Sequence, residues 1–349
     1  MRIALCHPHT PFMRGGGEAH TEGLAAALRQ AGHEVEIVPL PFKWYPPSEL
    51  VYQMGMWRSI DLSEANGVEI DMVIALKFPA YLVRHERKIV WLIHQHRAAY
   101  ELYDHPEYGD LARYDEGPEV RDMIWRADRV ALKEAKRVFT NSENVRDRLW
   151  RSLGIASDSL YHRSPLCDAL LGTEPREPGD FVIYPSRIEP LKRQGLALEA
   201  MRHTGTPVRL VMVGTGPGEA ALRREVERLG LESRVELAGR VEDDKLVDLY
   251  TRSLAAYYGP FDEDYGYVTL EAMAAGRPVV TTTDSGGPLE LVEPGGNGLV
   301  VEPSPRAIAS ALDRLYRDRA ETARMGGRGR ALLHERVPEW PEVVTRLLA

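Results

Sequence analysis

YGPFDEDYGYVTLEAMAAGRPVVTTTDSGGPLEL, residues 258–291, sets two carboxylates, Glu263 and Glu271, eight residues apart across a glycine-containing turn. An apolar run from Leu270 to Ala275 follows, stopped by Gly276-Arg277-Pro278. A β-branched strand from Val279 to Thr283 and a second glycine turn at Gly286-Gly287 come next. The order is loop, helix, strand, loop. Glu263 falls in the polar loop and Glu271 in the early turns of the helix, so the free N–H groups at the helix start belong to Gly266, Tyr267 and Val268. Such a terminus favours an anion by roughly 0.3–1 kcal/mol and offers it unpaired donors. Were the whole interval helical, a rise of about 1.5 Å per residue would separate the two α-carbons by ~12 Å. That spacing suits the two ends of one long ligand.

The pattern resembles the E-x7-E motif of retaining family 4 glycosyltransferases, which have the two-domain GT-B fold. The likeness runs on through LEAMAAGRPVV and DSGGPLEL, where family members read LEAMA-x-G-x-PVV and a Gly-Gly turn before Glu-Leu. By position, the resemblance implies that Glu263 bonds hydroxyls of the donor sugar and Glu271 the ribose of the nucleotide. It places the backbone of Gly266, Tyr267 and Val268 along the diphosphate and sugar. Where members usually have Glu-Gly-Phe-Gly, this chain has Glu263-Asp264-Tyr265-Gly266, which leaves the donor sugar open.

Upstream, a strand at Phe181–Tyr184 leads into PSRIEPLKRQG, residues 185–195. Arg187 and Lys192 match the Arg and Lys of the family's G-R-L-x-x-x-K-G element, which grips the diphosphate. Two cations there make chemical sense, because a departing diphosphate gathers negative charge in the transition state. Ser186 and Arg193 stand where the family has its two glycines. After the strand Val208–Val213, Gly214 and Gly216 open a turn near the dehydrogenase fingerprint, but its third glycine position is Glu219. The resemblance assigns Gly214 and Gly216 to the nucleotide, and Arg240 and Val241 of a later Gly-x-Val turn to the base. Beyond residue 300, Ser304–Tyr316 and Ala320–His334 read as helices.

The first half opens β-α-β: a strand at Met1–Cys6, helical spacing of Leu24, Ala27, Leu28 and Ala31, and an alternating strand at Val35 and Ile37. That rhythm implies a parallel sheet. Gly15, Gly16 and Gly17 form a turn too far past the first strand for a dinucleotide fingerprint, and no Gly-Lys pair is present for a Walker A loop. The family has a similar glycine loop near the donor phosphates. A later strand, Ile89–Ile93, ends in His94-Gln95-His96, and side chains at such a strand end meet ligands in the sheet crevice. The resemblance gives His94 a place beside the donor sugar, with His96 the weaker choice. His-x-His also suits a metal, yet no carboxylate cluster accompanies it, so no metal site is expected.

The 349 residues suit two domains, with 44% hydrophobic residues to fill their cores. Segment 165–180, rich in Pro, Gly and charge, separates a domain at 1–170 from one at 175–334, and a terminal helix at 335–349 returns to the first. The expected fold is α/β, two Rossmann-like domains facing across a cleft. The net charge is 44 minus 52, or −8, with an acidic excess in both halves, which excludes bulk nucleic-acid binding. Two cysteines, no apolar run long enough to span a membrane and no secretory signal point to the cytoplasm. Residues 42–58, with their aromatics, prolines and methionines, read as a packed connection. An acceptor wall and peripheral contact with the inner face of a membrane are their alternatives.

The expected activity is retaining transfer of a sugar from a nucleoside-diphosphate sugar to a hydroxyl of a glycan, a lipid-linked saccharide or a small-molecule glycoside. No cofactor beyond the donor is expected. Alternatives are a non-catalytic nucleotide-sugar-binding homologue, or a phosphorylase or epimerase on the same fold. Asp262-Glu263-Asp264 also matches the Asp-x-Asp metal triplet of the other large glycosyltransferase fold. A glycoside hydrolase would need its carboxylates at ~5–5.5 or ~6.5–9.5 Å.

Overall fold

A computed structural model describes every residue except Pro175, which lies inside the segment read as the domain boundary. The chain forms two compact units, Met1–His162 with Glu339–Ala349, and Arg163–Pro338.

In unit 1 the strands are β1 (Arg2–His9), β2 (Glu34–Pro41), β3 (Glu64–Ala65), β4 (Val68–Glu69), β5 (Met72–Ala75), β6 (Lys88–Leu92), β7 (Arg137–Thr140) and β8 (Asp158–Ser159). Apart from the small antiparallel β3–β4 ribbon, they make one parallel sheet in the order β2-β1-β5-β6-β7-β8. Its helices are α1 (Gly16–Gln30), α2 (Ser48–Ser59), α3 (Gly117–Lys133) and α4 (Glu143–Leu153). Strand β1 runs three residues past the expected end, to His9, because it pairs with β2 along its whole length. Both faces of the sheet are buried. On one, Val73, Val90 and Leu92 pack with Trp57, Ile124 and Leu149. On the other, Leu5, Ile74 and Trp91 pack with Leu24 and Leu28 of α1.

Unit 2 begins with α5 (Leu166–Leu171) and builds a second parallel sheet from β9 (Phe181–Pro185), β10 (Arg209–Val213), β11 (Val235–Gly239), β12 (Ala255–Tyr257), β13 (Val279–Thr282) and β14 (Gly298–Val301). The strand order is β11-β10-β9-β12-β13-β14. Around it lie α6 (Gln194–His203), α7 (Glu219–Arg228), α8 (Asp243–Arg252), α9 (Tyr267–Ala274), α10 (Pro305–Arg317) and α11 (Arg319–Arg336). The last helix, α12 (Trp340–Leu348), belongs to unit 1, where Val343, Val344 and Leu347 join the core beside Leu24 and Trp91.

The break between the units falls at His162/Arg163, ahead of the Pro- and Gly-rich segment. Packing is the reason: Ser164, just before that segment, and α5, inside it, attach to α8 and α9. Residues 42–58 are half helix rather than plain connection. Leu50, Met54 and Trp57 of α2 are buried, whereas Tyr45, Tyr52 and Met56 are exposed. Among the described residues no helix is long and apolar enough to cross a membrane. Cys6 and Cys167 are buried free thiols.

Candidate functional site

Each sheet has one place where the strand order reverses, between β1 and β5 in unit 1 and between β9 and β12 in unit 2. Loops leaving the carboxyl ends of such a strand pair diverge to opposite faces and open a crevice for ligands. In unit 2 the loop after β9 carries Arg187 and Lys192, and the loop after β12 carries Glu263. The fold therefore brings together at one crevice groups about 71 residues apart in sequence.

Lys192 Nζ is ion-paired with Glu263 Oε2 and donates to the Tyr258 hydroxyl at 3.3 Å. Both charged side chains are mostly covered, at 15% and 16% exposure. Burial alone would lower the Lys192 pKa, but the carboxylates of Glu263, Glu189 and Asp264 outweigh it and hold the ammonium above its ordinary value. Arg187 is more open and pairs with Glu189 at 2.9 Å on its own loop. Glu189 thus faces both cations of this loop.

The Glu263 loop is held through its backbone. Phe261 N–H donates to Leu191 O, Asp262 N–H to Asp284 O, Glu263 N–H to Ser285 O and Gly287 N–H to Glu263 O, each at 2.8 Å. Helix α9 starts three residues earlier than its apolar run, at Tyr267, with Gly266 as N-cap at φ 87. A Cβ on Gly266 would lie 2.9 Å from the Tyr258 ring and 3.1 Å from Pro288, so only glycine fits that turn. Gly266, Tyr267 and Val268 thereby form the helix start beside the Glu263 loop. Residues 263–266 are not helical, so the helical spacing expected between the two glutamates does not apply.

Glu271 sits inside α9 and has partners of its own. Its Oε1 accepts from Ser164 Oγ at 2.9 Å and its Oε2 from the Tyr250 hydroxyl at 2.8 Å. Burial pushes its carboxyl pKa up, against the pull of those two donors. Ser164 and Tyr250 were not found from sequence, since neither lies in a motif and the former precedes its partner by 107 residues.

Gly214 and Gly216 have a visible structural purpose. A Cβ on Gly214, at φ 130, would lie 2.1 Å from Ser186 O, and one on Gly216 would lie 2.3 Å from Ile188 O. The glycines let the β10 loop press against the loop that carries Arg187, sealed by Ile188 N–H to Thr215 O at 3.0 Å. Arg240 and Val241 follow β11 directly, beside Gly214, whose N–H donates to Gly239 O at 2.8 Å.

In unit 1, Gly15 caps α1, while Gly16 and Gly17 are its first helical residues rather than a free turn. The Glu18 carboxylate takes the Gly15 N–H at 2.9 Å and lies 3.4 Å from His7 Nε2. A Cβ on Gly17 would touch His7 at 3.3 Å and Lys77 Nζ at 3.4 Å, so the helix start fits closely over the end of β1. Although burial opposes it, the hydrogen bond from His7 and the charge of Lys77 hold Glu18 at about 2. This His7–Glu18–Lys77 cluster is a second group that sequence reading missed. His94 stands two residues past β6, with Nδ1 2.5 Å from Gln95 O. His96 packs on Phe78 and is pushed down to about 3 by burial. Among the described residues no three His, Cys, Asp or Glu side chains gather as metal ligands.

Residues 173–332 match the family described as glycosyl transferases group 1. A D-inositol 3-phosphate glycosyltransferase of Nocardia farcinica is 32% identical over 242 residues, which are 62% of this chain and 52% of that protein. The chain thus spans about half the length of that relative. An N-acetyl-alpha-D-glucosaminyl L-malate synthase of Bacillus anthracis is 24% identical over 93% of this chain and 90% of its own. Anabaena HepE, solved with UDP and glucose, superposes with a TM-score of 0.73 at 19% identity, covering 100% of this chain and 98% of that one. The likeness to the group 1 glycosyltransferases is carried by residues 173–332, and the two parallel-sheet units have the GT-B fold.

Proposed function

We propose that the protein is a retaining glycosyltransferase that moves a sugar from a nucleoside-diphosphate donor to an acceptor hydroxyl. One observation carries the reading: the Lys192–Glu263 pair lies at the unit 2 strand-order reversal, next to the Gly266-capped start of α9. An ammonium and the N–H groups of a helix start there suit a diphosphate, and a carboxylate beside them suits sugar hydroxyls. Glu271, held by Ser164 and Tyr250, takes the ribose, Gly214 and Gly216 lie beside the nucleotide, and Arg240 and Val241 contact the base. In unit 1, Gly15, Gly16 and Gly17 are the candidates for the donor phosphates and His94 for the donor sugar. HepE crystallised with UDP-glucose supports a donor of this class.

In the reaction the bond from the sugar's anomeric carbon to the β-phosphate oxygen breaks, and the leaving diphosphate takes the electron pair. Lys192 and Arg187 stabilise the charge that develops there. The acceptor oxygen attacks from the face the diphosphate leaves, and its proton passes to a diphosphate oxygen. No metal and no further cofactor enters this scheme. The acceptor is a glycan, a lipid-linked saccharide or a small glycoside, and the chain works in the cytoplasm or at the inner face of a membrane.

Thermal-shift measurements against UDP-, GDP-, ADP- and TDP-sugars will select the donor, because a ligand that binds the folded state raises its apparent stability. With that donor, Glu263→Gln is expected to cut turnover by orders of magnitude while nucleotide affinity stays near the parent value. A variant that turns over normally refutes the assignment. Retention is read from the anomeric configuration of the product by NMR, and an inverted product rules it out.

A further inference from the structure

We propose that Arg193 is a positioning residue that sets the sugar end of the donor site, and that it does so by clamping the loop that bears Glu263. The inference rests on the donor-site reading above. Arg193 follows Lys192 directly, at φ 54. That is left-handed backbone, which a long side chain adopts only when its surroundings hold it there. Family members place glycine at this position, where it would be free of strain. This chain accepts the strained backbone and gains a side chain with five hydrogen bonds.

The Arg193 side chain is 12% exposed. Its Nε donates to Gly259 O at 2.9 Å and its Nη2 to Pro260 O at 2.7 Å, both at the start of the Glu263 loop. On the other side the guanidinium forks onto Asp284, Nη1 to Oδ2 at 2.7 Å and Nη2 to Oδ1 at 2.8 Å, and Nη2 also reaches Thr282 Oγ1 at 2.8 Å. Thr282 Oγ1 donates in turn to Asp284 Oδ1 at 2.9 Å. Burial works against the Asp284 charge, but Arg193 and Thr282 keep its carboxyl below the usual range. A two-pronged bond to a carboxylate fixes direction as well as distance.

The two segments joined by the guanidinium are the ones between which Glu263 is suspended. Asp262 and Glu263 hang from Asp284 and Ser285, and Gly287 returns a bond to Glu263 O. The Arg193 side chain bonds to Gly259 and Pro260 on one side of Glu263 and to Thr282 and Asp284 on the other. The clamp therefore acts on where Glu263 stands, whereas Glu271 is held separately by Ser164 and Tyr250. A residue that served stability alone would affect both ends of the ligand together.

Arg193→Gly removes the fork and restores an unstrained backbone. In the full chain, with the nucleotide and nucleotide sugar selected by thermal shift, release of nucleotide diphosphate with water as acceptor reports turnover. The variant is expected to lose about tenfold or more in kcat, while its Kd for the nucleotide alone stays within about twofold and its Tm within a few degrees. Asp284→Asn keeps the carbonyl bonds and weakens only the fork, so its loss is smaller. The double variant is expected to be no worse than Arg193→Gly, because both act through one contact. Parental kcat in Arg193→Gly overturns the proposal, as does an equal loss of nucleotide and nucleotide-sugar affinity. If Arg193→Gly does not fold, Asp284→Asn decides, and unfolding of both makes the clamp a stability element and overturns it. A harmless Glu263→Gln would instead remove the donor-site reading itself. A damaging Glu263→Gln beside a harmless Arg193→Gly removes only the role of Arg193.

Discussion

Glu271 is oriented by two hydroxyls, one from Ser164 and one from Tyr250, which engage both of its oxygens. A carboxylate held that way presents its remaining lone pairs in one direction. Tyr250→Phe removes a bond to a charged group, of a kind that contributes about 1.5–3 kcal/mol. Nucleotide affinity is expected to fall about tenfold or more on that scale, with kcat at saturation nearly kept; calorimetric titration with the nucleotide checks it. Glu263 and Glu271 were legible as a pair because their spacing is local. Lys192 could be named from its own motif, but its pairing with Glu263 arises only from two loops leaving neighbouring strands. Ser164, Tyr250, Arg193 and Asp284 left no readable pattern, since each matters through a partner distant in sequence. Only the departure from glycine at Arg193 gave a hint, and it hinted at a difference without saying what the side chain does.

Helix α9 shows what a short element depends on. Its N-cap, Gly266, makes no side-chain bond, and the turn exists because glycine alone accepts φ 87 against Tyr258 and Pro288. Gly266→Ala forces a left-handed alanine into that space, a strain of about 1–3 kcal/mol before the clash is counted. Unit 2 is expected to melt several degrees lower and to bind the nucleotide sugar more weakly than the nucleotide. Differential scanning calorimetry with each ligand separates the two effects. Apolar periodicity located the body of this helix but not its first turn, where Tyr267, Val268 and Thr269 follow the cap rather than any hydrophobic pattern. At α1 the error was similar. The glycines looked like a turn, yet Glu18 caps the helix from inside and starts it at Gly16.

At the scale of the whole molecule, the β-α-β rhythm announced both parallel sheets, because buried parallel strands and their crossover helices have distinct periods. The boundary was set late, since composition marks where a chain is loose and not where packing changes sides. Acid should distinguish the two units. In unit 1, burial pushes His96 and His162 down to about 3 and His20 well below its ordinary value of 6.5. The unfolded chain takes up these protons near pH 6.5 and the fold resists them, so their stabilising share is intact above pH 6.5 and lost as pH falls toward 3. All six tryptophans lie in unit 1. Their emission is therefore expected to shift to the red on acidification before far-ultraviolet circular dichroism shows loss of unit 2. Simultaneous transitions contradict this.

The return of α12 has a consequence for synthesis. Unit 2 is one uninterrupted stretch, whereas unit 1 waits for Val343, Val344 and Leu347 to fill the gap beside Leu24. As the nascent polypeptide leaves the ribosome, the lobe begun first is finished last. A growing chain therefore carries an open apolar seam until α12 has been made.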